Sequence, residues 1–261
     1  MFKKIITMLL AVMFICCGCG KKKETPDTLK TIQQRGTVVV GVRTDTYPFG
    51  FLDKKGHYAG YDVELAKLIA KKLFGSGGHL KYVKVNASDR MMKLYSEEID
   101  MIIATMSVTP SREQILDFSD PYYISGQALL VKKGSNIKGL RDLKGKRAII
   151  VFGSTGERSL RAAIPDVGIL GYKTYEEAFN ALKRGKGVAL VSDDSILMGL
   201  AANDPTVELL PKKYSNEPYA VAFRKGDESK NLIKEVNDIL TEEGRNGTLK
   251  KLQEKYGIKQ H

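Results

Sequence analysis

The feature that most restricts the fold is a strand–helix alternation that begins near Thr37 and starts afresh at Lys146. Thr37–Val42 (TVVVGV) is short, β-branched and bounded by Gly36, which predicts a strand. After turn residues at 47–51 and 53–56, Asp62–Phe74 sets Ala66, Ile69, Ala70 and Leu73 on one helical stripe, with Asp62 placed to cap it. Strands at Lys81–Val85 and Asp100–Thr105 flank a short helix over Asp89–Glu97, capped by Ser88, and a further strand follows over 126–133. The second series holds a strand at Arg147–Phe152, a helix from Glu157, a helix at Glu176–Arg184, a strand at Val188–Ser192 and a short helix at Asp194–Ala201. Tyr219–Phe223 is the last strand, and helices at Glu228–Glu242 and after Asn246-Gly247 close the chain. Such a rhythm predicts the α/β class with largely parallel sheets. Its restart predicts two lobes of similar size, joined where strands near 126–132 and 219–223 cross between them. A ligand cleft then lies at the strand C-terminal ends, between the lobes.

The amino terminus stands apart from this rhythm. Lys3 and Lys4 precede an uncharged run from Ile5 to Ile15, too short for a permanent membrane span of about 20 residues but suited to a secretory signal. All three cysteines, Cys16, Cys17 and Cys19, fall at its end, so neither a disulfide framework nor a zinc site is expected in the body. A cysteine after a small residue at this point resembles a bacterial lipoprotein signal. Cleavage between Gly18 and Cys19 would leave Cys19 as the lipidated terminus; Cys17 is the weaker candidate, and a plain secretory signal is the alternative. Residues 1–18 are thus expected to be a signal peptide and 19–36 a lipid-anchored tether. The expected location is the outer face of the cell membrane or the periplasm, with palmitate among the acyl groups.

A formal charge of +12, from 42 Lys+Arg against 30 Asp+Glu, raises a polyanionic partner as a question. The positions answer it. Lys67, Lys71 and Lys72 lie on a solvated helix face, and no array interleaves aromatic and basic residues, so no nucleic-acid partner is expected. His57, His79 and His261 are the only histidines, and neither a nucleophile elbow nor a phosphate-binding P-loop occurs. No metal, cofactor or catalytic activity is expected.

Two stretches carry candidate chemistry. Gly153-Ser154-Thr155-Gly156 joins a strand to a helix, where backbone N–H groups suit an anion, although such loops are often plain turns. In Ile99–Tyr123, Arg112 follows the helix-start pattern Thr109-Pro110-Ser111 near the expected cleft. Its guanidinium could take a carboxylate at two points, or be solvated and paired with Glu113 or Asp117.

The stretch T-P-x-R followed by D-F-S-x-P-Y-Y, together with the leader, the GYDVELAKLIAKKL helix and the restart at Lys146, resembles the polar amino-acid group of bacterial solute-binding proteins, family 3. These are the extracytoplasmic receptors of ATP-binding-cassette importers. The resemblance spans about Thr37 to Gly257 and implies the two-lobed periplasmic-binding-protein-like fold, a hinge of two crossing strands, and delivery of an amino acid to permease subunits by a monomer. Lobe 1 is then 37–127 with 219–261, and lobe 2 is 128–218. It implies that Arg112 clamps the ligand α-carboxylate, helped by the N–H groups of Ser107, Thr155 and Gly156. It implies that the Thr105 carbonyl, the Ser107 hydroxyl and Asp193 hold the α-ammonium; Asp193 could instead cap the helix that follows it.

Arg43 and Arg90 resemble the arginines that engage the ligand's side-chain carboxylate in glutamate/aspartate-binding members. Three arginines against Asp193 leave a pocket of +2, which suits glutamate or aspartate better than a neutral or basic amino acid. If Arg43 or Arg90 points outward instead, the adjacent Asp45 or Asp89 is its surface partner. Glutamine, cystine or histidine is the alternative ligand. An extracytoplasmic sensor would ordinarily continue into a membrane helix and an output domain beyond His261, and a dehydratase on the same fold would need a general acid and base poised in the cleft, for which the only candidates are carboxylates.

Overall fold

The computed structural model describes residues 26–258 other than 76 and 203; the leader and Cys19 lie outside these residues. The described chain opens with helix α1 (Thr28–Arg35), capped by the Asp27 carboxylate, which accepts from the N–H groups of Leu29 and Lys30. Ile32 on this helix is fully buried in the first core, so the tether expected over 19–36 gives way to folded structure from residue 27. One apolar position per turn in TLKTIQQR was too thin a pattern to predict it.

Strand β1 (Thr37–Val42) runs as expected, and three short strands follow: β2 (Asp45–Thr46), β3 (Gly50–Leu52) and β4 (Tyr58–Ala59). Helix α2 (Tyr61–Phe74), strand β5 (His79–Lys84), helix α3 (Arg90–Tyr95) and strand β6 (Met101–Ile102) complete the first βα series. Helix α4 (Pro110–Glu113) starts with Pro at its first turn and the Thr109 hydroxyl accepting from the Arg112 N–H. Strands β7 (Leu116–Phe118) and β8 (Tyr123–Ser125) lead into β9 (Gln127–Lys132). The second series is β10 (Arg147–Val151), α5 (Gly156–Ala163), β11 (Gly168–Tyr172), α6 (Tyr175–Lys183), β12 (Ala189–Asp193), α7 (Asp194–Ala201) and β13 (Val207–Leu209). Strands β14 (Glu217–Tyr219) and β15 (Ala222–Arg224) precede the closing helices α8 (Lys230–Arg245) and α9 (Thr248–Lys255).

Two five-stranded sheets result, in the orders β5-β1-β6-β15-β7 and β11-β10-β12-β9-β13. In each, four strands run in one direction and a single strand, the first one laid down after a chain crossing (β15 in the first sheet, β9 in the second), runs antiparallel between its neighbours. The crossing is made by β8 and β14, paired antiparallel with Tyr123 opposite Tyr219 and Glu217 opposite Ser125. It lies a few residues before the expected positions, because 127–132 and 222–224 are already taken up by the two sheets. Leu232, Val236, Ile239 and Leu240 of α8 pack against β1 and α2 residues in the first core, so the carboxyl end returns to lobe 1. Leu129, Leu130, Ile149, Ile150 and Leu190 fill the second lobe on both faces of its sheet.

Strand order reverses at β1 in the first sheet and at β10 in the second. Side chains at such switch points, beyond the strand C-terminal ends, have no neighbouring connection above them and are free to face a ligand. Among the described residues no helix is long and apolar enough to cross a membrane.

Candidate functional site between the lobes

Every candidate residue lies at the carboxyl end of a parallel strand, on the loop that leads from it or on the helix that loop enters, as Arg112 does on α4 after β6. Arg43 follows β1, Arg90 opens α3 after β5, Thr105 and Ser107 follow β6, Thr155 and Gly156 follow β10, and Asp193 ends β12. The folding of both sheets therefore gathers them at one crevice. The lobes touch across it: Arg112 Nη2 donates to the Gly153 carbonyl at 3.0 Å, and Arg158 Nη1 of α5 donates to the Ser111 hydroxyl. Close approach explains two glycines. A Cβ at Gly153, where φ is +76°, would sit 2.3 Å from the Ala87 carbonyl, and one at Gly199 would sit 1.8 Å from the Tyr47 carbonyl. A cavity of about 560 Å³ at the crevice mouth is lined by Thr109, Ser111, Arg112, Gly153, Ser154 and Thr155, among others.

Arg112 is buried, and Nη1 donates to the Ser107 carbonyl at 2.8 Å. The alternative partner Asp117 is engaged elsewhere, by Lys225 at 2.9 Å. Among the described residues Arg112 forms no salt bridge, and burial lowers its pKa despite the nearby charges of Asp193 and Glu217.

Arg90 is 2% exposed and also has no carboxylate partner among the described residues. Nη1 donates to the Ala104 carbonyl at 2.6 Å and more weakly to Thr105 at 3.4 Å, while Nε has no hydrogen-bond partner among the described residues. Burial, then the charges of Arg112 and Arg43, push its pKa down to about 9, so it stays charged at neutral pH. Asp89, its sequence neighbour, accepts instead from the backbone N–H and side-chain amide of Asn86.

Arg43 differs from both. It is 1% exposed, yet the Asp45 carboxylate takes it at two points, with Nε–Oδ1 at 3.0 Å and Nη2–Oδ1 at 2.8 Å. The guanidinium carbon lies 5.0 Å from the ring centre of Tyr175 in lobe 2, and the Tyr175 N–H donates to Asp45 Oδ2 at 3.3 Å. The Arg43–Asp45 pair is therefore internal to the lobe contact. With Asp45 counted, the +2 pocket charge falls to +1.

Asp193 stands at the N-cap position of α7 but makes no side-chain cap bond. Its Oδ2 accepts from the Tyr219 hydroxyl at 2.5 Å, and its Oδ1 accepts from Gln127 Nε2 and from the Thr155 hydroxyl at 3.4 Å. Burial and the neighbouring Glu217 raise its pKa to about 6. Gln127 Nε2 also donates to the Thr155 hydroxyl at 2.9 Å, which ties the loop before α5 to Asp193. Thr155 and Gly156 lie at the start of α5, where the first N–H groups have no carbonyl within the helix to accept them.

Asp62, Gln127, Tyr175 and Tyr219 went unrecognised in the sequence as site residues. Asp62 was expected to cap α2, but Gly60 holds the N-cap position without a side-chain bond. The Asp62 carboxylate instead turns inward, fully buried, with Oδ2 accepting from the Thr105 N–H at 2.8 Å and Oδ1 from the Tyr122 hydroxyl at 3.0 Å. Burial raises its pKa to about 6. Thr105 has φ of +48°, an outlier for a β-branched residue and the kind of local strain that concentrates at working sites.

The sequence model described as "Bacterial extracellular solute-binding proteins, family 3" matches residues 38–259. The ABC transporter glutamine-binding protein GlnH of Bacillus subtilis is 36% identical over 260 residues, covering 97% of this chain and 94% of that protein. The glutamine-binding protein of Geobacillus stearothermophilus is 39% identical over 224 residues, covering 84% of this chain and 85% of its own. The crystal structure of a cysteine-binding protein from Campylobacter jejuni superposes with a TM-score of 0.84 at 32% identity, covering 88% of this chain and 92% of that one.

Proposed function

Since the chain belongs to the bacterial extracellular solute-binding proteins of family 3, we propose that it captures an acidic L-amino acid, glutamate or aspartate, between its lobes and delivers it to the permease of an ATP-binding-cassette importer. In this reading Arg112 clamps the α-carboxylate, with the N–H groups of Ser107, Thr155 and Gly156 around it. Asp193, the Thr105 carbonyl and the Ser107 hydroxyl receive the α-ammonium. Arg90 receives the side-chain carboxylate, with the paired Arg43 behind it. The protein is a receptor that changes no bond in its ligand.

Arg90 carries the reading. A buried guanidinium offers only donors, and here one of them, Nε, is unmatched. Leaving such a charge buried and unpaired costs several kcal/mol, which a carboxylate from the ligand offsets. Cationic amino acids would set donor against donor and are rejected. The charge sum does not decide it, because with Arg43 and Asp45 cancelling, Arg90 and Arg112 stand against both Asp193 and the buried Asp62, so the reading rests on the unmatched Arg90.

Glutamine is a second reading, favoured by the same Arg43–Asp45 pair. Asp45 already occupies one of the two side-chain arginines, and the amide oxygen of glutamine is an acceptor that Arg90 can use. The two glutamine-binding relatives support it. A thermal-shift screen of residues 20–261 against the twenty amino acids separates these readings. Stabilisation by glutamate or aspartate ahead of glutamine is expected; a larger shift with glutamine replaces the acidic reading, and one with arginine or a wholly apolar amino acid removes both.

The leader completes the proposal with export and attachment through Cys19. Metabolic labelling with a palmitate analogue is expected to mark the wild type and not Cys19→Ala; labelling retained in that variant but lost in Cys17→Ala would move the anchor.

A further inference from the structure

The site contains a buried carboxylate that the proposed pose leaves without work. Asp62 is fully buried at the first turn of α2, and both its oxygens are spent on lobe 1: Oδ2 on the Thr105 N–H at 2.8 Å and Oδ1 on the Tyr122 hydroxyl at 3.0 Å. Burial at this place is unfavourable for a charge unless something nearby compensates. Thr105, whose N–H it accepts, is the residue held at φ +48°, and the carbonyls of Ala104 and Thr105 are those that receive Arg90 Nη1. The chain of contacts runs from Asp62 through the left-handed turn to the guanidinium placed to meet the ligand side chain. Arg43 and Arg90 are the positive charges that act on Asp62.

We infer that Asp62 is a positioning and specificity-determining residue: it fixes the Ala104–Thr105 turn that aims Arg90, and its charge restrains how strongly the pocket prefers an anionic side chain. The inference rests on Arg90 facing the ligand side chain. Two effects follow that are separable. The hydrogen bonds set the geometry of the turn, so their loss weakens every ligand alike. The charge offsets Arg90 and Arg43, so its loss favours a ligand with one more negative charge and leaves the geometry in place. A residue with only a structural role would produce the first effect alone.

The test compares wild type with Asp62→Asn by calorimetric titration with L-glutamate and L-glutamine, which differ by one side-chain charge and little in shape. The asparagine carbonyl still accepts from the Thr105 N–H, and the Tyr122 hydroxyl can turn to accept from its amide. The ratio of glutamate to glutamine affinity is expected to rise by about three- to tenfold in the variant, the size of one charge interaction across a partly screened site. An unchanged ratio, or a parallel loss for both ligands, overturns the inference. If Asp62→Asn does not fold, the same pair is measured in a Thr105→Gly background, where glycine adopts the positive φ without help. The wild-type titration judges the ligand separately: if it binds only arginine, the acidic and glutamine readings both fail. The Asp62 inference then predicts weaker arginine binding in Asp62→Asn relative to citrulline, its neutral isostere, and an unchanged ratio overturns it.

Discussion

The two lobes share an architecture, yet they bring opposite chemistry to the crevice. Lobe 1 supplies Arg43, Arg90 and Arg112, while lobe 2 supplies Asp193 and the N-terminus of α5. Within lobe 1 the arginines are also unequal: Arg43 is closed by Asp45, whereas Arg90 and Arg112 are held, among the described residues, by carbonyls. A carbonyl fixes the direction of a guanidinium without neutralising it, so these two remain ready for an anion. On this division lobe 2 recognises only what every amino acid has, whereas lobe 1 shares in that clamp through Thr105, Ser107 and Arg112 and adds the choice of side chain.

The largest expected effect tests the shared clamp. Arg112→Ala should weaken every amino acid by at least about a hundredfold, since a buried charge-assisted pair is lost and Asp193 is left facing a site without its counter-charge. Calorimetry that still shows tight binding would break the assignment. Asp193→Asn comes next and should weaken all ligands by about ten- to a hundredfold while leaving their order intact. A change of order would mean that lobe 2 takes part in choosing the side chain. Arg90→Met should do the reverse, lowering affinity for glutamate by about tenfold or more with little change for ligands that lack an acidic side chain. An equal loss for all ligands would place Arg90 in the backbone clamp.

The smallest effect concerns pH. Asp62 and Asp193, with pKa values raised to about 6, hold their protons in the folded chain at a pH where the unfolded chain has released them. Their sign is therefore stability gained as pH falls and lost as it rises through about 4 to 6. The ligand-free melting temperature should rise by a few degrees between pH 7 and 5.5, and Asp193→Asn should reduce that rise. Carboxyls with lowered values, such as Glu243 at about 2, act at lower pH and do not mask the trend. Ligand affinity should move oppositely and decline below about pH 6, because a protonated Asp193 cannot pair with an ammonium. A melting temperature that fell over this window would contradict the burial assigned to both acids.

Much of this was legible in the sequence, and the gaps have physical reasons. The β-branched run at 37–42 and the Thr109-Pro110 helix start are local patterns, so β1 and α4 could be read directly. Arg43 could be placed at a strand end, but not its partner, because the hairpin of β2, β3 and β4 that turns Asp45 inward has no strong periodicity. Asp62 has the spacing of a helix cap, and only the packing of Thr105 and Tyr122 against it reveals its other role. Gln127 and Tyr219 are polar groups on or beside the crossing strands, where no short motif marks them. A left-handed Thr105 runs against the preference of its own side chain, so local propensity could not indicate it.

The division between lobes is tested most directly by titrating L-glutamate and L-glutamine into wild type and Arg90→Met side by side. The account predicts that wild type binds glutamate the more tightly and that Arg90→Met loses this advantage while still binding glutamine. An advantage for glutamate that survives the loss of Arg90 would contradict it.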